Sequence, residues 1–427
     1  MIEFVFAILV ALIALGGVVL ATRSLAIDWF NPAVIFAFSW SIPLIVFFSG
    51  RENYYHVSIS TWVVIVLSLL TFYLGVFTVW VYGMRCNSAI VNDCTLERVA
   101  LLRMYLNKRK LRNGIVFIGL LGGIFFIVYI KNIADRYGVN MIVFSLLELR
   151  EDMRNEGVFP GFHFFYFFQM VLPLTTLYLV LYGMKRNILL IVFALISTLC
   201  LLMTGAKVNI FDAIIWSGVV YLLLRLEKIS IERGVVGLFF FAVLGISIFL
   251  VHTKFTGEIV GVSNQSADIY QRFSAQFPTF DMLINDSSIE HSYGKLSLLP
   301  LVKVVHVFFS EVEVPNHILQ FYNVPVRFNL ATYLDVLYRD FGLAGVVVGP
   351  WFFGVLCGFA FLLYRNKKES FLALFFLSIV ILWVLSSPYA AGYIKPIFWF
   401  QILIGYILYL YIRVNPYFMG AKGLRHT

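Results

Sequence analysis

Six of the seven histidines, His56, His163, His252, His291, His306 and His317, fall between the apolar runs of the chain or at their edges, and only His426 lies in the tail. Arg150, Arg272, Arg327 and Arg339 occupy the same intervening segments. An imidazole or a carboxylate takes a proton from a reacting hydroxyl, and an arginine fork holds two oxygens of one anion. These residue types offer acid–base chemistry and anion binding. Asp335 and Arg339 stand four residues apart in RFNLATYLDVLYRD, a spacing that puts both on one helix face. The plainer readings stand beside these: a histidine at a membrane boundary is first a polar interface residue, and Asp335–Arg339 is equally a structural pair.

Other kinds of site leave no signal. The chain has no phosphate-cradling G-x-x-x-x-G-K-[ST] loop, no G-x-G-x-x-G after a strand and no G-x-S-x-G elbow. No H-x-x-x-H, H-E-x-x-H or D-x-D is present, so no metal site is indicated. Glu311, Glu313 and His317 lack a second cluster of ligands and read as a solvated loop. Cys86, Cys94, Cys200 and Cys357 match no zinc or disulfide pattern and read as reduced thiols.

The elements that must position these groups are apolar. Of 427 residues, 61% are hydrophobic and 13% charged, with mean hydropathy +0.89. A soluble chain carries about 25% charged residues, so a water-soluble enzyme, a disordered chain and a secreted disulfide scaffold are all excluded. Eleven apolar runs are long enough to cross a hydrocarbon core of about 30 Å as helices: 2–22, 29–49, 59–83, 115–130, 162–183, 188–204, 208–224, 234–252, 341–364, 370–388 and 397–412. The first lacks the basic start and small-residue cleavage site of a signal peptide. The run 299–310, with Pro300, Lys303 and His306, reads as a re-entrant or interfacial element.

Lysine and arginine orient these spans. One set of alternate loops (23–28, 84–114, 184–187, 225–233, 365–369 and 413–427) carries 19 Lys and Arg against 6 acids; the other carries 13 against 16. The first set is expected inside, with the N-terminus outside and the C-terminus cytoplasmic. The net charge of +9 then reports topology, and no nucleic-acid partner is expected. Two outer loops, 131–161 and 253–340, are too long to be mere connections. The second ends in 327–340, whose apolar spacing predicts an amphipathic helix. It leads into a span with Gly342, Gly345, Gly349, Gly354 and Gly358 along it and a kink expected at Pro350. Asp212 is the one acid placed inside a span, with Lys207 at the start of the same helix. The aromatic run FHFFYFFQM (162–170) reads as an interfacial belt or as the wall of a groove for a lipid tail.

The segments LLMTGAKVNIFD (201–212) and ATYLDVLYRDFGLAGVVVG (331–349) resemble the Wzy-type polymerases that join oligosaccharide repeat units into O-antigen and related polysaccharides. Tyr338, Asp340, Phe341 and Gly342 match an aromatic-acidic helix ending in D-F-G before a glycine-rich span. Thr204, Gly205, Ala206 and Lys207 match a T-G-[SA]-[RK] helix start, with Lys207 where arginine is frequent. The resemblance implies an all-α, polytopic, GT-C-like glycosyltransferase of the bacterial inner membrane, with its chemistry on the periplasmic side. Its substrates would be oligosaccharides on undecaprenyl pyrophosphate, with a chain-length-regulating co-polymerase as a possible partner and membrane lipids around it. No cofactor is implied, because the sugar arrives already activated on its lipid. Arg150, Arg272, Arg327 and Lys207 would hold the pyrophosphate, and Asp335, His317 and Arg339 would serve catalysis. An O-antigen ligase is the nearest enzymatic alternative, and a flippase for lipid-linked sugars is the alternative from another class. The resemblance predicts that Arg327→Ala and Arg150→Ala each abolish long chains at unchanged protein level; normal polymer length on glycolipid electrophoresis in both variants refutes those assignments.

Overall fold

A computed structural model describes residues 31–49, 56–87, 98–138, 161–183, 187–204, 207–225, 274–316, 319–320, 322–324, 327–328 and 331–413. Helices dominate it. In chain order they are α1 (Pro32–Ser49), α2 (Ile59–Asn87), α3 (Arg98–Tyr105), α4 (Lys108–Tyr137), α5 (Phe164–Tyr182), α6 (Ile188–Cys200), α7 (Lys207–Arg225), α8 (Gln276–Ile284), α9 (Leu299–Phe308), α10 (Leu334–Asn366), α11 (Phe371–Ser386) and α12 (Pro396–Ile412). A 3-10 turn, Leu201–Thr204, follows α6, and a small antiparallel hairpin pairs β1 (Tyr322–Asn323) with β2 (Arg327–Phe328). Helices α2, α4, α5 and α10 are long and apolar enough to cross a membrane, and α1, α6, α11 and α12 are shorter apolar helices. The architecture fits an all-α, membrane-embedded protein. The expected runs 2–22 and 234–252 lie outside the described residues.

The chain divides into two compact units. The first comprises residues 1–93, 262–366 and 379–399. Its core is aromatic: Phe36 stacks on Phe72 with ring centroids 3.8 Å apart, and Trp40 and Tyr333 meet edge to face at 6.1 Å. Trp40 donates its indole N–H to Ser387 Oγ at 3.0 Å, satisfying a polar atom that the core would otherwise strand. Helices α2 and α10 approach until their backbones touch. A Cβ on Gly354 would sit 2.1 Å from the Phe72 carbonyl oxygen, and one on Gly75 would sit 2.2 Å from the Trp351 oxygen. Small residues at this seam are what close helix packing in a membrane requires, as the glycine spacing predicts.

The start of α10 differs from the expectation in two ways. The helix does not begin at Arg327. Residues Arg327–Phe328 pair with Tyr322–Asn323 instead, and the helix opens at Leu334, whose N–H bonds Thr332 Oγ1 at 3.2 Å. A threonine hydroxyl at this place is a helix cap, and it fixes the start seven residues later than the apolar spacing implies. The break in α10 is at Gly342 (φ 61°, ψ −147°), while Pro350 lies within continuous helix. That backbone conformation is open essentially to glycine alone. Beyond the break the chain doubles back, so that Leu337 packs against Gly345 and Gly349.

The second unit comprises residues 94–261, 367–378 and 400–427. Its helix α4 is capped by Asn107, whose side-chain oxygen accepts from the Lys110 N–H at 3.0 Å. The aromatic run at the start of α5 is interior: Phe164 and Phe168 are buried against Phe126 and Tyr129. The belt reading of 162–170 therefore gives way to core packing for these rings. Trp216 donates to Ser378 Oγ at 2.8 Å in the same unit.

Gly342→Ala is expected to lower folding stability by about 1–3 kcal/mol, the cost of a disallowed backbone. Gly123→Ala, in α4 with open space at the Cβ position, serves as the control and is expected to hold or slightly raise stability, since alanine is the better helix former. Thermal unfolding of the detergent-purified proteins measures both, and equal melting temperatures would remove the strain argument at Gly342.

Candidate functional site

The head of α10, from Leu334 to the break at Gly342, carries three ionisable side chains, Asp335, Arg339 and Asp340. Asp335 and Arg339 share one face and meet at 3.4 Å, each only 9% exposed. The second Asp335 oxygen accepts the Val336 N–H at 2.6 Å, and an Arg339 terminal nitrogen donates to the Asn316 carbonyl at 3.3 Å. A guanidinium held from two sides in a site nearly closed to water is an oriented cation for an anionic group.

Asp340, one residue on and fully buried, has a different task. Its carboxylate accepts the Leu296 N–H at 3.1 Å, the Ser297 N–H at 2.6 Å and the Ser292 hydroxyl. The backbone adds two bonds, Ser292 N–H to the Arg339 carbonyl at 2.9 Å and Tyr293 N–H to the Asp340 carbonyl at 3.1 Å. Tyr293 and Gly294 both take positive φ, 49° and 92°. That left-handed pair turns the loop so that successive N–H groups converge on one carboxylate. His291 packs against Gly342 and meets Tyr338 edge to face at 6.1 Å. Tyr338 in turn donates to the Ile284 carbonyl at 3.0 Å.

Two more carboxylates order the approach to this head. Asp281 of α8 accepts the Ser58 N–H at 2.9 Å and the Thr61 hydroxyl at 2.6 Å, so it caps α2. An acid at a helix N-terminus meets the positive end of the helix dipole. Asp286, at the surface, accepts from Ser288 through one oxygen and from Gln320 (2.7 Å) and Tyr322 (3.0 Å) through the other. The Ser288 hydrogen bonds hold its carboxyl below the ordinary carboxylate range. Tyr322 feels the charges of both Asp286 and Arg339, and burial, the largest effect on it, pushes its phenol up.

The structure thus brings together two of the seven residues singled out in the sequence, Asp335 and Arg339. Arg327 stands in β2 opposite Asn323, and Lys207 opens α7 in the second unit. Arg150, Arg272 and His317 lie outside the described residues. Asp281, Asp286, Ser292, Gln320 and Tyr322 were missed. They are ordinary polar loop residues with no motif spacing, and only the turns that bring them to one helix head identify them. No group of three or more metal-ligating side chains occurs among the described residues.

The second unit contributes two further features. Gln169 of α5 donates to the Asn209 carbonyl at 3.0 Å, and Gln401 of α12 donates to Gln169 at 3.1 Å. These amides link three apolar helices from within. A cavity of about 580 Å3 is lined by Leu172, Leu195, Leu199, Ile210, Ile214 and Tyr221 among others, with Thr176, Thr198 and Ser217 between them, and the surface it presents is almost all apolar. Such a wall accepts an apolar chain. No family model, no curated protein and no solved structure matches the chain.

Asp340→Ala would leave the Leu296 and Ser297 N–H groups without an acceptor, at about 1–3 kcal/mol for each. The expected result is a loosened 285–298 loop, cut by protease several-fold faster than in the parent protein. Unchanged cutting would show that this carboxylate does not hold the loop.

Proposed function

We propose that the protein joins lipid-linked oligosaccharide repeat units into a polysaccharide at the periplasmic face of a bacterial inner membrane. The observation that carries this reading is the Arg339–Asp335 pair, shielded from water at the head of an apolar helix. The resemblance of 201–212 and 331–349 to Wzy-type polymerases and the two long loops support it as well.

In the proposed reaction a sugar hydroxyl of the incoming repeat unit attacks the anomeric carbon at the reducing end of the growing glycan. The bond from that carbon to the pyrophosphate oxygen breaks, and its electron pair leaves with undecaprenyl pyrophosphate. Charge grows on that leaving group, and a preorganised cation in a site of low dielectric stabilises it best. Arg339 takes that role, and Arg150, Arg272, Arg327 and Lys207 are the further cations that the resemblance offers for the pyrophosphate. The acceptor proton passes to Asp335 or to His317. Where His317 takes it, Asp335 orients Arg339. The sugar reaches the site already activated on its lipid, so the reaction asks for no nucleotide site.

Arg339→Ala is expected to collapse the surface glycolipid ladder to a single repeat unit at unchanged protein level, and Arg339→Lys to restore only short chains, because a point charge replaces a planar fork. Asp335→Asn separates the two roles: loss of about 10²–10⁴ in turnover marks a general base, and a smaller loss marks an orienting group. A ladder of normal length in Arg339→Ala overturns the proposed function of this site.

A further inference from the structure

Helix α9 (Leu299–Phe308) is amphipathic in the wrong sense for water. At about 100° per residue, Leu301, Val304, Val305 and Phe308 share one face, and these side chains are 61%, 55%, 41% and 76% exposed. The opposite face carries Leu299, 1% exposed, Lys303, which is half-buried, and the exposed imidazole of His306, whose Nδ1 bonds the Val312 carbonyl at 2.7 Å. A helix on a water-facing surface turns its apolar stripe to the core and its charges outward. Here the apolar stripe faces out and the lysine lies on the side of the packed face. The aromatic Phe309, 65% exposed, extends the stripe past the helix end.

The height of this helix is fixed by the same contacts that build the α10 head. Leu296 and Ser297, immediately before α9, are bound to Asp340, and Phe341 packs on Gly294. Two residues after Asp340 the chain breaks at Gly342 and enters the long apolar part of α10. Its outward side chains there are Leu343, Val348 and Phe352, 56%, 50% and 62% exposed. The start of α9 is therefore tied to the point where α10 enters its apolar stretch, and both helices expose apolar side chains beyond it.

We propose that α9 lies in the plane of the membrane with Leu301, Val304, Val305 and Phe308 in the acyl chains of phospholipid. The helix would hold the α10 head, through the 292–298 loop, at the height of the lipid headgroups. This rests on the membrane-embedded fold and not on the polymerase reading, so its test involves no glycan.

The full-length protein is reconstituted in vesicles of phosphatidylethanolamine and phosphatidylglycerol, with the photoreactive p-benzoylphenylalanine replacing Leu301, Phe308 or, in the polar surface around Asp286, Ser287. All three positions are exposed, so folding is preserved, and thermal unfolding verifies it. After illumination, mass spectrometry is expected to find phospholipid adducts at 301 and 308 at several times the yield at 287. Equal yields at the three positions overturn the proposal. So does cross-linking of 301 and 308 to a second copy or to another segment of the chain, because then protein, and not lipid, covers the stripe.

Discussion

A membrane-crossing helix runs on in one direction, and a carboxylate and guanidinium placed along it would be carried into hydrocarbon. In α10 the break at Gly342 prevents this. It separates a head of eight residues, with Asp335, Arg339 and Asp340, from the apolar stretch that follows, and it folds that head back so that Leu337 rests on Gly345 and Gly349. The glycines on either side of the break have distinct tasks. Gly342 supplies a backbone conformation, Gly345 and Gly349 supply room for the returning head, and Gly354 and Gly358 supply the contact with α2. A side chain at Gly345 or Gly349 would push the head off its own span, and one at Gly354 or Gly358 would push α2 away.

What the break makes possible, Asp340 secures. A buried carboxylate with three donors is costly to place and costly to strip, so the loop and the helix head are held as one piece. Asp281 does the same for α8 and the start of α2. In the other unit uncharged amides take over: Gln169, Asn209 and Gln401 bond to one another across three helices. Polar links between apolar helices add direction to an association that dispersion alone leaves loosely specified. Neutral amides do this without the solvation cost of an ion.

The helices were legible in the sequence because hydrocarbon thickness and apolar run length are the same constraint. The runs 59–83, 162–183 and 397–412 match α2, α5 and α12 within a few residues at each end. The glycine seam at Gly354 and Gly358 and the Asp335–Arg339 pairing were legible too, since both follow from helical spacing. The start of α10 was not. Apolar spacing continues through 327–333, but β pairing at Arg327 and a cap at Thr332 compete with helix there, and local hydrogen bonds decided the outcome. The break was placed at Pro350 because proline announces itself in a sequence, whereas the need for positive φ at Gly342 appears only once the head packs. The loop around Asp340 was invisible for a related reason. Ser292, Leu296 and Ser297 reach that carboxylate from either side of the left-handed turn at Tyr293 and Gly294, and Tyr293 is a residue type that gives no warning of it.

Stability does not explain why a chain with so few charges buries a carboxylate–guanidinium pair. Desolvating both ions costs several kcal/mol, and an apolar pair of similar size is often as stable or better. The 3.4 Å contact is also longer than the roughly 2.7–2.9 Å of a strong charge-assisted bond. A cation in such a place is what the proposed reaction asks for. Arginine suits that use because its guanidinium stays charged when desolvated, whereas lysine readily loses its proton on burial. The aspartate and the Asn316 carbonyl hold this guanidinium from two sides. On the proposed reading, the pair is kept for the anion that its cation would meet and not for the support it gives the fold.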